Sequence, residues 1–227
     1  MLTPVKRVVE SGLADDLIVG QTSNQDSRIK YLLEKDFPFV SFGRTELYSK
    51  YPYFDVAHEE ISYRSAKIFL ESGHRRIALI NPPPVLNYTS HRRKGFHLAL
   101  SESGIQSDPN LEVDMELSFE SGRKIMENFL GMHDSPRAFL SPGVSTTLGM
   151  LAALKKEGLE VGKDVCLIAF EGTRFLEFSD PPVSAFHASL DEAGKQLCSL
   201  LLRRIKGESA ENLRVLEEAE YQDRGSC

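Results

Sequence analysis

Four consecutive apolar residues, Ile77-Ala78-Leu79-Ile80, followed closely by Pro82-Pro83-Pro84, constrain this chain more than any other stretch. An apolar run without polar alternation reads as a strand buried on both faces, the habit of parallel sheets. Three prolines permit neither helix nor central strand, so the chain must leave the sheet there. The pattern beyond predicts a helix from about Ser90 to Ser103, stopped by Gly104. The loop between lies at the carboxyl end of a parallel strand, where open α/β sheets bind ligands. Tyr88, Thr89, Ser90, His91 and Arg92 fall in that loop or in the first helical turn.

The same alternation runs through the rest of the chain. Before it come a helix at Pro4–Ser11 stopped by Gly12, a short buried strand Leu17–Val19, a helix with Ile29, Leu32 and Leu33 inward, and a strand Phe37–Phe42 leaving through Gly43-Arg44. Tyr48–Tyr53 reads as aromatic and irregular, and Glu59–Ser72 as a helix closed by Gly73. After a polar link containing Pro109, Ser118 can cap a helix carrying Ile125, Met126, Phe129 and Leu130. Strand Ala138–Leu140 exits through Ser141–Thr146 into a helix with Leu148, Leu151 and Leu154 inward. Strand Val165–Phe170 exits through Glu171-Gly172-Thr173, and Val183–Phe186 follows as another strand. Ser189-Leu190-Asp191-Glu192 fits a capping box, opening a helix that buries Ala193, Leu197, Leu200, Leu201 and Ile205. The charged tail, Leu213–Cys227, has room for one or two edge strands. Strand–helix alternation with continuous apolar strands implies an α/β fold with parallel sheets.

The composition narrows the function. A chain of 227 residues with net charge −6 has no general attraction for phosphate backbones. Its three cysteines, Cys166, Cys198 and Cys227, are odd in number and lack metal-ligand spacing, which reads as reduced thiols in a cytoplasmic protein. No signal-type leader or membrane-length apolar run is present, so no membrane partner is expected. GVSTTLG lacks the glycines and lysine of a phosphate loop, and no G-x-S-x-G elbow occurs. His58-Glu59-Glu60 reads as a helix start whose acids suit the helix dipole. The expectation is a protein that is not an enzyme and uses neither cofactor nor metal. What remains is positional: Arg44, Tyr88, Arg92, Gly143, Ser145, Phe170 and Glu171 all sit at strand exits. If those loops converge, arginine forks and a carboxylate acceptor suit a polyhydroxylated small molecule, with Tyr88, Phe170 or Phe186 to stack on it. The plainer alternative makes each arginine a solvated helix-end charge, with Phe170 and Phe186 as core.

The succession GHRRIALI, a proline loop, R-x-x-GF from Arg92 to Phe96, LGMLAALKKEGLEVGKDVCLIAFEG and PPVSAFHASLDEAGK resembles the effector-binding core of the LacI/GalR family of bacterial transcription repressors over nearly the whole chain. The resemblance implies a periplasmic-binding-protein-like fold of two parallel-sheet lobes joined by crossover strands, with a sugar or sugar-like effector in the interlobe cleft. It implies residues 1–56 and 190–216 in an N-terminal lobe, truncated because its opening strands are missing, and 57–189 and 217–227 in a C-terminal lobe. Residues 1–56 are expected to supply two strands. It further implies a homodimer, and contact with operator DNA only through a helix-turn-helix headpiece not in this chain. Arg92 matches the family's effector-contacting arginine, Glu171 stands at its contacting aspartate, and Arg44 at the arginine of its Asp-Arg pair. The family's aspartate before that arginine is Gly43 here, its Asn-Asp pair is Gly143-Val144, and its glutamine after the last strand is Ala188. A sugar-binding protein of a transporter shares the fold, an enzyme on a doubly wound sheet is a second alternative, and an assembly module that has lost its ligand is a third.

Overall fold

The computed structural model describes residues 2–47 and 50–227. In chain order the elements are α1 (Leu2–Ser11), β1 (Leu17–Val19), α2 (Ser27–Glu34), β2 (Phe39–Phe42), β3 (Tyr53–Val56), α3 (His58–Glu71), β4 (Ile77–Asn81) and α4 (Asn87–Glu102). They continue with β5 (Glu112–Asp114), α5 (Phe119–Leu130), β6 (Ala138–Ser141), α6 (Val144–Lys156), β7 (Cys166–Glu171), β8 (Ser184–His187), α7 (Leu190–Ile205), β9 (Arg214–Glu217) and β10 (Glu220–Gln222). The chain divides into two compact units.

One unit comprises Met1–Val56, Val85–Tyr88 and Ser189–Glu217. Its four strands lie in the order β1-β2-β3-β9, all parallel. Val19, Ile29, Leu32, Phe39 and Tyr51 form its core, with Val5 and Val9 of α1 packed against them. Ser189 caps α7 by accepting a hydrogen bond from the Glu192 backbone N–H. The same unit corrects three expectations. Tyr53–Val56 is a strand, so residues 1–56 supply three strands and not two; Asp55 breaks the apolar run that would have announced it. β1 is an edge strand with Ile18 half-exposed, not a buried one. Ile205 is half-exposed at the end of α7. Tyr48 and Ser49, part of the stretch read as irregular, lie outside the described residues.

The other unit comprises Ala57–Pro84, Thr89–Ala188 and Glu218–Cys227. Its six strands lie in the order β10-β8-β7-β6-β4-β5, parallel except for antiparallel β10. Strand side chains alternate between faces. Ala78, Ile80, Phe139, Leu167 and Ala169 join Met126, Phe129, Met150 and Leu154 in one core. All five residues of β4 are buried, the four of its apolar run and the polar Asn81 that ends it. α3 and α4 cross at Gly95, where a Cβ would lie 1.9 Å from the Glu59 carbonyl oxygen, so only glycine fits.

Four expectations fail in this unit. α4 begins at Asn87, three residues before the expected start, so Tyr88 and Thr89 are helical and Arg92 lies beyond the first turn. Glu112–Asp114, read as a polar link, is the edge strand β5. Leu148 is exposed, because the buried face of α6 is made by Thr146, Thr147, Gly149, Met150, Leu151, Ala153 and Leu154. Cys166 and Cys227 form a disulfide, not reduced thiols. Segment 223–227 lies against β7 and β8, where the Leu167 N–H donates to the Ser226 carbonyl.

Candidate functional site

Within the six-stranded unit, strand register gathers the polar groups at the carboxyl ends. Phe170 pairs with Phe186 and Glu171 with His187, while Asn81 closes β4. Arg92 stands on α4 with 1% exposure. Its Nε donates to Asn81 Oδ1 at 2.8 Å and its Nη2 to the Ile80 carbonyl at 3.2 Å. These bonds orient the guanidinium from the strand beneath it. They also fix the Asn81 amide, since reversing it would set NH2 against an arginine N–H. Phe170, half-buried, meets the His58 ring edge-on at a centroid distance of 5.3 Å. α3 begins at His58, followed by Glu59 and Glu60 in its first turn, as the sequence reading held.

Gly143 is the N-cap of α6 and offers no capping side chain. The Thr147 hydroxyl reaches Ser141 Oγ and the Gly143 carbonyl, both at 2.8 Å. Ser145 is exposed in the first turn. Glu171 is fully committed: Oε1 accepts from Arg224 Nη2 at 2.6 Å and Oε2 from the Leu176 N–H at 3.1 Å. Arg224 also donates to the Val183 carbonyl at 2.6 Å.

In the four-stranded unit, Arg44 follows β2. Its Nε lies 3.2 Å from Asp55 Oδ2, with the arginine side chain 27% exposed and the aspartate 4%. Burial pushes the Asp55 carboxyl up to about 6, against the opposing pull of Arg44 and of the Val56 N–H. The Arg44 carbonyl accepts from Thr22 Oγ1 at 3.1 Å and from Asn87 Nδ2 at 2.9 Å. Gly43 is left-handed at φ +97°, and a Cβ there would meet Thr22 Oγ1 at 2.6 Å. Both features suit glycine at this position. Tyr88, half-buried in the first turn of α4, belongs to this unit.

Polar groups outside the predicted site residues also lie at the strand ends of the six-stranded unit, Thr146 in the predicted exit loop and Asn81 and His187 unanticipated. Asn81 Nδ2, Thr146 Oγ1 and His187 Nδ1 are buried without a hydrogen-bond partner. An unsatisfied buried polar atom costs about 1–3 kcal/mol, so such atoms mark places where structure serves something besides stability. Each residue ends a strand or enters the next helix, a position legible in sequence. Asp55 was missed together with its strand. Among the described residues no cluster of His, Cys, Asp and Glu has the arrangement of a metal site, and no helix is long and apolar enough to cross a membrane.

Comparison with known proteins places this geometry. Residues 66–227 match the family model described as a periplasmic binding protein-like domain. The HTH-type transcriptional regulator AglR of Rhizobium meliloti (strain 1021) is 32% identical over 204 residues, covering 88% of this chain and 57% of AglR. The chain thus spans about half the length of the curated relatives it matches. A regulatory protein of the LacI family from Chloroflexus aggregans superimposes with TM-score 0.89 at 24% identity, covering 100% of this chain and 81% of that one. A CelR–cellobiose complex does so with TM-score 0.90 at 23% identity, covering 99% and 69%.

Proposed function

The chain belongs to the LacI family of transcriptional regulators, with their periplasmic-binding-protein-like core, and we propose that it is the part that senses a small polyhydroxylated effector. Arg92 carries the reading. A guanidinium held at 1% exposure is costly unless its donors are used, and this one is oriented at the strand ends where open α/β folds take ligands. Gly143, Ser145 and Phe170 of the same unit are further contacts we assign, to which the buried polar atoms of Asn81 and Thr146 add; Arg44 and Tyr88 are the contacts we propose on the four-stranded unit. Sugar is the class to try first, because a solved neighbour of the same fold is a complex with cellobiose.

The effector acts by binding one conformation of the core better than another, which is how a small ligand alters a regulator's DNA affinity. We place operator contact in a headpiece beyond the matched region, the chain itself in the cytoplasm, and its working form as a homodimer. Phe175 and Phe178, 66% and 81% exposed, supply apolar surface for such an association.

Thermal unfolding against cellobiose, maltose and D-glucose tests the sensing role. A ligand at a hundred times its Kd stabilises the folded state by about 2.7 kcal/mol. A rise of several degrees with at least one sugar is the expected result; no rise across these and a wider panel of pentoses, hexoses and nucleosides would remove the sensing role.

A further inference from the structure

The carboxylate that stands where the family contacts its effector is engaged from within this chain. Glu171 has a fully buried side chain, and both its oxygens accept hydrogen bonds from protein donors. One donor is Arg224, whose side chain is 9% exposed and which also binds the Val183 carbonyl. The other is the backbone N–H of Leu176, in the short 3-10 turn Arg174–Glu177 that follows β7.

Arg224 is itself held firmly. Its backbone N–H donates to Ser184 Oγ at 2.9 Å. Two residues on, Ser226 Oγ accepts from the Ser184 N–H at 2.8 Å and donates to the Leu167 carbonyl at 2.6 Å. The Gly225 carbonyl oxygen lies 2.2 Å from where a Cβ on Gly162 would stand, so the segment sits tightly against the 158–165 turn. A guanidinium anchored on β7 and β8 therefore reaches the carboxyl end of β7 and fixes the acid there.

We infer that Arg224 is a positioning residue of the effector site, holding Glu171 as an internal strut that sets the β7 exit loop, and that Glu171 does not itself accept hydroxyls from the effector. The inference rests on the sensing role proposed above. Glutamate has one methylene more than the family's aspartate, and that length serves the bonds to Arg224 and Leu176. Effector hydroxyls then meet donors and acceptors elsewhere on the rim. The family's contact at this position is replaced here by a link between the rim and segment 223–227.

Four proteins test it: wild type, Arg224→Met, Glu171→Gln and the double variant, each followed by thermal unfolding and by calorimetric titration with cellobiose, maltose and D-glucose. Arg224→Met leaves an unpaired buried carboxylate and should lower the midpoint by about 10 °C. It should also weaken sugar binding by about tenfold, because the β7 exit loop loses the strut that sets it. The double variant removes the stranded charge and should recover much of both. Were Glu171 an effector contact, Arg224→Met would leave affinity unchanged or raise it, and the double variant would bind as poorly as Glu171→Gln. Either result overturns the inference. Should Arg224→Met fail to fold, Arg224→Lys, which keeps the charge but not the fork, should show intermediate losses in both readouts, and wild-type values for it would count against the strut. Should no sugar bind even the wild type, the sensing proposal fails by itself. The thermal cycle still decides whether Arg224 holds Glu171, and a double variant no more stable than Arg224→Met answers no.

Discussion

Each unit carries an arginine–carboxylate pair near the carboxyl end of its sheet, and the two are built differently. Arg224 and Glu171 meet at 2.6 Å with 9% and 0% side-chain exposure, and the second carboxylate oxygen is taken by the Leu176 N–H. Arg44 and Asp55 meet at 3.2 Å through one nitrogen, with Arg44 at 27% exposure. Burial dominates at Asp55, lifting its carboxyl to about 6. A buried ion pair is secure only when hydrogen bonds satisfy both partners. The first pair meets that condition and acts as a fixed strut. The second is looser, and its arginine side chain stays 27% exposed.

The comparison breaks most readily at the tight pair. Removing the Arg224 side chain should cost about 3–5 kcal/mol in a denaturant titration, because Glu171 is left charged and buried; Arg44→Met should cost less, since water reaches that site. Equal losses would erase the distinction.

The loose pair should reveal itself through pH. Asp55 is raised above its ordinary 3.8, so the folded state holds the proton more tightly than the unfolded chain. Stability from this group is therefore full below about pH 4 and falls as pH rises towards 6. Asp55→Asn abolishes that dependence. Its stability relative to wild type should improve by about 3 kcal/mol between pH 4 and pH 7, and a flat difference would show that Asp55 is not raised.

A smaller effect is expected next to the loose pair. Gly43→Ala forces a side chain into a left-handed position and against Thr22 Oγ1, and should cost about 1–2 kcal/mol. Ser189→Ala, which removes only the α7 cap, should cost about 1 kcal/mol.

The two pairs also show where sequence reasoning reaches and where it stops. The unbroken run of β4, the Ser118 and Ser189 caps and the strand-exit position of Arg44 depend on neighbouring residues and are readable, whereas Arg92 lies inside α4. β3 was hidden because Asp55 interrupts it, and only Arg44, from another part of the chain, makes a buried aspartate tolerable there. β5 is a three-residue polar edge strand with no apolar run to announce it. The start of α4 escaped because the Asn87 N–H is satisfied by the Thr22 carbonyl and not by a local cap. Glu171 was legible as a strand-exit acid, but its partner lies 53 residues away. Cys166 and Cys227, 61 residues apart, are joined only because segment 223–227 returns to the sheet.

Arg92 remains the residue on which the sensing role turns. Calorimetric titration of wild type and Arg92→Lys with the sugar that most stabilises the wild type is the most direct test, since lysine keeps the charge and loses the fork. The account expects at least about a tenfold loss of affinity, the worth of one charged hydrogen bond. Unchanged affinity in a folded Arg92→Lys protein would contradict it.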